Sequence, residues 1–390
     1  MAGFDSDILV VGAGIGGLTF ALAAHHHGLR VRVIEQAPAL REVGAGLQIS
    51  PNGFYVLQTL GLAQSLDARA CMAQAIELRD YAQGRLAARL DLQKYGAAVG
   101  YRFFHRADLL DVLYQACLGL GIDVATNCPV TQVSHQGHAL DTPQGPQTAD
   151  VIVGADGVNS LCRSYVLGGQ DQAQFSGQVA WRAIVPNDIG QAAIAQIHMA
   201  PHRHVVSYPL RGGRDLNMVL IQEHENWTDQ SWSIPDEPDQ VQAAFDDFGG
   251  AIGQAISSID QVNKWGLFLR PVAPTWHRGK IVLLGDAAHP TLPFMAQGAV
   301  QAIEDAWALA ACLGQGEPVV SAYRRYQDLR KPRVTRVVNT ASRNAWKYHL
   351  SQPLVRVSAQ NALRIASKLR PASLVRQFDW IYNYDITQEI

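Results

Sequence analysis

The chain has 390 residues, 48% hydrophobic and 17% charged, enough to bury two cores with the balance of a compact soluble protein. A net charge of −2 gives no overall pull toward nucleic acid or an anionic surface, and no apolar run reaches the ~18 residues of a spanning helix. The short acidic start from Met1 to Asp7 argues against a signal peptide, and five scattered cysteines without a C-x-x-C pair argue for reduced thiols in a cytoplasm and against a disulfide framework or a metal site.

The first elements form a βαβ unit. Ile8–Val11 reads as an apolar strand, Gly12–Gly17 as a glycine loop, Leu18–His27 as a helix closed by Gly28, and Val31–Ile34 as the returning strand. Gly12 permits the tight turn, Gly14 lets backbone approach a pyrophosphate, and Gly17 lets helix and strand pack closely. Glu35 closes the second strand about 20 residues on, where a carboxylate accepts a ribose 2′-OH. An acid there favours an unphosphorylated adenosine ribose, hence FAD or NAD. His25–His27 sit in the helix's last turn and point in different directions, so a metal site is not expected there.

Residues 70–104 alternate around Gln83-Gly84 as a hairpin, and Arg106–Gly119 reads as a helix. Further strands are expected within Asp123–Val133 and at Val151–Val153, the latter ending in Gly154-Ala155-Asp156-Gly157. The Ser160 beyond it is placed to cap a helix, and backbone N–H groups of this turn can face phosphates. From about 176 to 270 the pattern becomes that of alternating strands (Gln178–Val185, His204–Leu210, Leu216–Gln222) with a helix near 239–248. Residues 321–376 then hold thirteen Arg and Lys against one acid, Asp328. That segment reads either as an electropositive face for a nucleotide phosphate or an anionic membrane, or as a solvated basic helix pair packed on the body.

Gly279–Ala306 carries the most chemistry. A buried strand, Ile281–Leu284, ends in Gly285-Asp286; a Pro-punctuated turn follows, then a helix starting near Gln297-Gly298-Ala299. A carboxylate at a strand's carboxyl end can hold a polyol hydroxyl, and a helix start offers free N–H groups and a positive dipole end. Those are the needs of a flavin's ribityl chain and reducible ring.

The order Gly12–Gly17, Asp156-Gly157, Gly285-Asp286 resembles the FAD-dependent aromatic hydroxylases, single-component flavoprotein monooxygenases. The branch most resembled is that of 3-hydroxybenzoate 6-hydroxylase, salicylate hydroxylase and 6-hydroxynicotinate 3-monooxygenase. The resemblance spans nearly the whole chain, Asp7 to Asp385. It implies an α/β fold with a Rossmann-like FAD-binding domain (p-hydroxybenzoate hydroxylase-like), an interleaved, mostly antiparallel β substrate domain and C-terminal helices. The FAD-binding domain is expected over 1–70, 101–175 and 266–345, the substrate domain over 71–100 and 176–265, and the helical segment over 346–390.

By the same resemblance Glu35 holds the adenosine ribose, Arg106 touches FAD, Asp286 binds the ribityl chain, and Gly298-Ala299 lie at the flavin ring. Arg41 and the segment Gly44–Gln48 approach the ring from the other side. His204 and Tyr208 would both face the aromatic substrate, and strand geometry allows it, because residues four apart share a face; His202, at the strand's start, is expected in solvent. The implied activity is an NAD(P)H-consuming monooxygenation of a phenolic or hydroxy-aromatic carboxylate through a flavin C4a-hydroperoxide, with NADH preferred over NADPH. His204 is the expected phenol-deprotonating base, Tyr208 the orienting group, and Gln48, Pro293 and Phe294 the pocket lining. NADH would bind transiently, since only one dinucleotide fingerprint is present.

Pro293-Phe294 depart from the branch, whose members can carry a polar, substrate-binding residue there; Phe294 could select a larger or less polar ring by stacking. Expected partners are a small aromatic, O₂ and NAD(P)H, with no nucleic acid and no membrane, and a homodimer is the default for oligomeric state. Two alternatives stay open: a membrane-associated quinone-pathway hydroxylase, and a flavin dehydrogenase or oxidase without oxygen insertion.

Overall fold

The structure, a computed structural model, describes residues 7–40, 45–134, 136–169, 171–227, 229 and 234–390; the side chains of 344–346 lie outside the description. Its first sheet has six strands in the spatial order 277–278, 281–283, 151–154, 8–11, 31–34, 123–125. Ile8–Val11 pairs in parallel with both Val31–Ile34 and Val151–Gly154, and Val151–Gly154 pairs in parallel with Ile281–Leu283. All four residues of Ile8–Val11 are buried, as expected of a parallel strand covered on both faces. Helix Ile15–His26 packs against helices Arg106–Gly119 and Gly298–Gly314 as well as against the sheet. Three loops far apart in sequence therefore leave the carboxyl ends of three adjacent strands: Gly12–Gly14, Ala155–Gly157 and Leu284–Asp286. A crevice at that end of a parallel sheet is where ligands bind.

The second sheet has eight strands, ordered 234–236, 262–269, 174–186, 215–223, 203–210, 194–200, 75–80, 86–91. Every pairing in it is antiparallel except that of 75–80 with 194–200. The hairpin about Gln83-Gly84 supplies its edge. Strands Gln174–Pro186 and Val262–Leu269 cross residues 176 and 265, the boundaries expected from sequence. Val205, Leu216, Met218 and Leu220 face helices Pro238–Ala244 and Gly250–Ser257 across one core. His204, Val206 and Tyr208 alternate to the other face and line a cavity. Two strands, Ile194–Ala200 and Val262–Leu269, were not singled out in the sequence because burial on both faces leaves no clean alternation to read.

A small sheet of Gly46–Ile49, Arg102–His105 and Cys71–Met72 joins the two large ones. The C-terminal helix Pro353–Leu369 packs on strand Leu86–Asp91, and Leu363, Leu374 and Phe378 close one side of the cavity. All five cysteines are free and buried, and among the described residues no helix is long and apolar enough to cross a membrane.

One sequence reading needs correction. The basic helix Val319–Asn344 is not merely a solvated face, because Arg330 is fully buried and Arg333 largely so. Residues 323, 326, 330, 334 and 337 recur at helical spacing and form the helix's inner stripe, all of them fully buried. Arg330 pairs there with Glu304 and with Asp305 (Nε to Oδ1, 2.7 Å), while Arg333 Nε lies 2.8 Å from Glu304. Charge composition cannot distinguish a basic residue aimed inward at buried acids from one aimed at water.

Candidate active site

The glycine loop is shaped on both sides by backbone. A Cβ on Gly12, whose φ is +103°, would lie 2.5 Å from the Ala155 carbonyl oxygen, and one on Gly17 1.9 Å from that of Gly12. Gly14 differs: nothing lies within 4 Å of its missing Cβ. It caps helix Ile15–His26 without a side-chain bond, so no capping side chain takes up the helix's first N–H groups. Glu35 is aimed at the same turn. Its Oε2 accepts from Ala13 N and its Oε1 from Ala37 N, both at 2.8 Å, leaving further lone pairs for a hydroxyl donor. An open helix start beside a fixed carboxylate fits the pyrophosphate and ribose of a dinucleotide.

Asp156 sits differently from a free ligand group. Its carboxylate accepts from Ser160 Oγ at 2.5 Å and Cys162 N at 3.1 Å, and Ser160 Oγ in turn accepts from Arg163 N at 2.7 Å. Asp156 and Ser160 thus cap helix Leu161–Leu167, and the fully buried Arg163 ties that helix to the Ala287 and Ala288 carbonyls and to Asp171. Arg41 and Gly44 lie outside the described residues.

A cavity of about 360 Å³ opens between the two large sheets, within the range of small-ligand sites. One wall holds Gln48, Asp286, Pro293, Phe294, Gly298 and Ala299. Asp286 is half-buried; burial raises its pKa, while the nearby His289 and Arg106 oppose the rise. Helix Gly298–Gly314 begins at this wall without a side-chain cap. Its start is held by Asn52 Nδ2, which donates to Gln297 (3.1 Å) and Glu304 (2.6 Å), and by Gln297 Nε2, which donates to Ser50 Oγ (2.9 Å). Unbonded helix N–H groups beside a carboxylate fit an anionic ring and a polyol, so the residues present suit FAD.

The opposite wall is mostly apolar and belongs to the eight-stranded sheet. The sheet contributes the polar groups His204, Tyr208 and Arg182, and beside the sheet Tyr101, Tyr348, Gln377 and Tyr382 also line the cavity. His204 is fully buried between the rings of Phe294 (centroids 5.9 Å apart) and Tyr348 (5.2 Å). Its Nδ1 meets His349 Nε2 at 2.7 Å, while its Nε2 has no partner among the described residues. Burial, and then His349, hold the His204 pKa well below that of an ordinary histidine, so the ring is neutral at pH 7. Tyr208 packs on Phe103, and burial raises its hydroxyl pKa, so it stays a donor. Gln48 accepts from Tyr101 at 2.9 Å and lines the cavity with Tyr208. His202 is exposed, as the sequence suggested.

Arg182 and His349 were not legible as site residues. Arg182 is the only Arg or Lys lining the cavity among the described residues, and it stacks over Trp265. Within its strand it looks like any exposed-face arginine. His349 lies in a segment with no periodic signal.

The family of the FAD binding domain matches residues 5–341 of the chain. A 3-amino-4-hydroxybenzoate 2-monooxygenase of Streptomyces platensis is 34% identical over 389 residues, covering 97% of this chain and 96% of the relative. A 3-hydroxybenzoate 6-hydroxylase of Polaromonas naphthalenivorans (strain CJ2) is 30% identical over 398 residues, covering 98% and 97%. A solved salicylate hydroxylase substrate complex superposes with a TM-score of 0.81 at 25% identity, covering 98% of this chain and 97% of that one. Fold and site define a flavoprotein of the Rossmann-like α/β class. The chain belongs to the FAD-dependent aromatic hydroxylases, the monooxygenase family its three glycine-rich turns suggested.

Proposed function

We propose that the chain hydroxylates a small hydroxy-aromatic carboxylate, consuming NAD(P)H, with His204 as the base that deprotonates the phenol. The observation that carries this reading is His204 Nε2, buried and unpartnered in the same cavity as Asp286 and the Gly298 helix start. A neutral imidazole with a bare nitrogen in a mostly apolar cavity can accept a phenol proton, and the phenolate ring is far more nucleophilic. Tyr208 would donate to the substrate oxygen. Arg182, the only Arg or Lys lining the cavity among the described residues, would pair with the carboxylate. Phe294 and Tyr348 exclude water around His204.

Glu35 would hold the adenosine ribose, Gly14 and the helix behind it the pyrophosphate, Arg106 and Asp286 the ribityl region, and Gly298-Ala299 the ring. Bound FAD supplies electron transfer from NAD(P)H and oxygen activation, which no side chain provides. Asp156 enters this reading as the cap that shapes its turn. The same reading assigns cofactor binding to the part of the chain built on the six-stranded sheet, and substrate binding to the eight-stranded sheet. Relatives named as 3-amino-4-hydroxybenzoate and 3-hydroxybenzoate enzymes support a hydroxybenzoate-class substrate, and their hydroxylase names disfavour a dehydrogenase or oxidase.

The test is a screen of hydroxy- and amino-hydroxybenzoates against purified yellow protein, reading NADH and NADPH oxidation, hydrogen peroxide release and product mass. A coupled acid should give a product one oxygen heavier. Arg182→Met should raise KM for that acid about tenfold or more, the worth of a charge-assisted bond, with FAD content unchanged. Oxidation that yields only peroxide with every aromatic acid would defeat the assignment.

A further inference from the structure

His204 is the inner end of a chain of hydrogen bonds that leaves the cavity. His204 Nδ1 meets His349 Nε2 at 2.7 Å, His349 Nδ1 meets Glu223 Oε1 at 2.9 Å, and Glu223 Oε2 meets His202 Nδ1 at 2.6 Å. Exposure rises along it: the side chains of His204 and His349 are buried, that of Glu223 is 40% exposed and that of His202 61%. Two backbone bonds fix the outer links, His202 N to His349 O (3.3 Å) and Glu223 N to His202 O (2.9 Å). The outer end opens into a shallow polar cleft lined by His202, Glu223, His224 and Glu225.

The carboxylate sets the direction of every bond inside it. An ionised Glu223 only accepts, so His349 Nδ1 must carry a proton. A neutral His349 then offers a lone pair at Nε2, so His204 must donate from Nδ1. That leaves the lone pair of His204 on Nε2, the unpartnered atom in the cavity. Burial raises the Glu223 pKa, but the bonds from His202 and His349 outweigh it and keep the carboxyl below its ordinary value, hence ionised. The titratable groups facing the two inner rings are Glu223, His202 and Tyr348, and burial pushes the Tyr348 hydroxyl up to about 12, so it stays protonated.

We propose that His204, His349 and Glu223 form a proton relay carrying the substrate's phenolic proton from the cavity to the solvent at His202, with His349 its middle link. The inference rests on the reading of His204 as the base. The substrate O–H bond breaks as His204 gains a proton at Nε2. His204 Nδ1 gives its proton to His349 Nε2, and His349 Nδ1 gives its own to Glu223, which releases it to water at His202. The balance is one phenolate left in the cavity, one proton in solvent, and two neutral imidazoles with exchanged tautomers. The reverse passage returns a proton to the product. Without the relay, a cationic imidazole would be stranded beside Phe294 and Tyr348, where burial disfavours it.

His349→Gln is the decisive variant, because an amide keeps hydrogen-bonding capacity but cannot take up one proton while passing on another. Holoenzyme is mixed rapidly with 3-amino-4-hydroxybenzoate, following the phenolate absorbance and, with an indicator dye, the proton released. Wild type should show both together. His349→Gln should slow both about tenfold or more, with the probe's Kd and the FAD content unchanged, in line with the weight of positioned proton transfer. Glu223→Gln, at the protein surface, should slow proton release in the same direction, and His204→Gln should abolish phenolate formation at neutral pH.

If His204→Gln abolishes ionisation while His349→Gln ionises the probe at the wild-type rate, the relay is wrong and the base stands. If His204→Gln ionises the probe normally, both fall. Nitrogen-15 spectra of histidine-labelled wild-type holoenzyme without any aromatic ligand supply a readout independent of probe binding and of variant folding. They should show both His204 and His349 protonated at Nδ1, and a His204 protonated at Nε2 overturns the relay.

Discussion

Two polar networks flank the cavity, and they are built on opposite principles. Beneath the helix start at Gly298, Arg330 meets Glu304 and Asp305, Arg333 meets Glu304, and His289 Nε2 meets Asp305 Oδ2 at 2.5 Å. Asp305 also accepts from Gly285 N at 3.1 Å, next to Asp286. That network is closed, with each of the buried charges paired inside the protein. Burial alone would raise the pKa values of Glu304 and Asp305, but the neighbouring cations outweigh it and hold both acids below their ordinary range. The chain from His204 to His202 is open: one end is a bare nitrogen in the cavity and the other lies in solvent. A closed network fixes a position, here the loop and helix start expected at the flavin. An open one can take up and discharge a proton, and the strongest tests separate these two tasks.

The largest effect should come from cutting the closed network. Arg330→Met leaves Glu304 and Asp305 buried with less than their full counter-charge, which typically costs about 3–5 kcal/mol. Urea unfolding should show that loss, or the protein should fail to accumulate. The double variant Arg330→Met, Asp305→Asn should recover most of it, since Glu304 keeps Arg333 as its counter-charge and Asp305 no longer carries one. A single variant as stable as wild type would show that the network contributes little to folding.

His204→Gln should do the reverse. It should lower turnover roughly 10²–10⁴-fold, the usual share of a positioned proton acceptor, while FAD content and the urea midpoint stay near wild type. A large fall in stability with intact turnover per folded molecule would make His204 a packing residue.

An isolated buried histidine provides the control. His198 is buried, bonded to Gln196 at 3.2 Å through Nε2, and its pKa is lowered to about 4, first by burial and then by Arg79, with Asp80 opposing. The native state then refuses a proton that the unfolded chain binds below about 6.5. Stability should therefore fall as pH drops through 6.5 and level off near 4. At pH 5 the loss from this one ring is about 2 kcal/mol. The difference between the urea-derived unfolding free energies at pH 7 and pH 5 should be smaller by about that much in His198→Gln than in wild type. Among the described residues the side-chain bond of His198 is to Gln196 and not to an acid, and the ring is no part of the chain from His204 to His202, so it should affect acid stability and leave turnover alone.

What the sequence allowed to be read follows the same division. Gly12, Gly17 and Asp286 announced themselves because tight backbone approach and a strand-end carboxylate leave local signatures. Helix Arg106–Gly119 and the hairpin at Gln83-Gly84 were legible for the same reason. His204 and Tyr208 were legible through strand alternation and the family resemblance together. Arg330 was hidden inside a basic run, since only the helix's inner stripe shows which of thirteen cations meets buried acids. His349 was hidden more deeply. It reaches His204 across 145 residues of chain, from a segment without regular spacing, and no local pattern can report that contact. Partners joined by tertiary packing are what a single sequence withholds.

The smallest effect tests Asp156, a residue the sequence placed among the cofactor ligands and the structure places in a cap. Ser160 Oγ both donates to Asp156 and accepts from Arg163 N, so Ser160→Ala removes the cap of helix Leu161–Leu167 and should cost about 1 kcal/mol. Asp156→Asn keeps the shape of the turn but weakens the bonds to Ser160 and Cys162. If the carboxylate serves only the helix, both variants should lower the urea midpoint slightly and retain FAD equally well in dilution, by flavin fluorescence. If it also faces the cofactor, Asp156→Asn should release FAD where Ser160→Ala does not. That difference would move Asp156 from the scaffold to the site, and the turn at Gly154–Gly157 would join the closed network in holding the flavin.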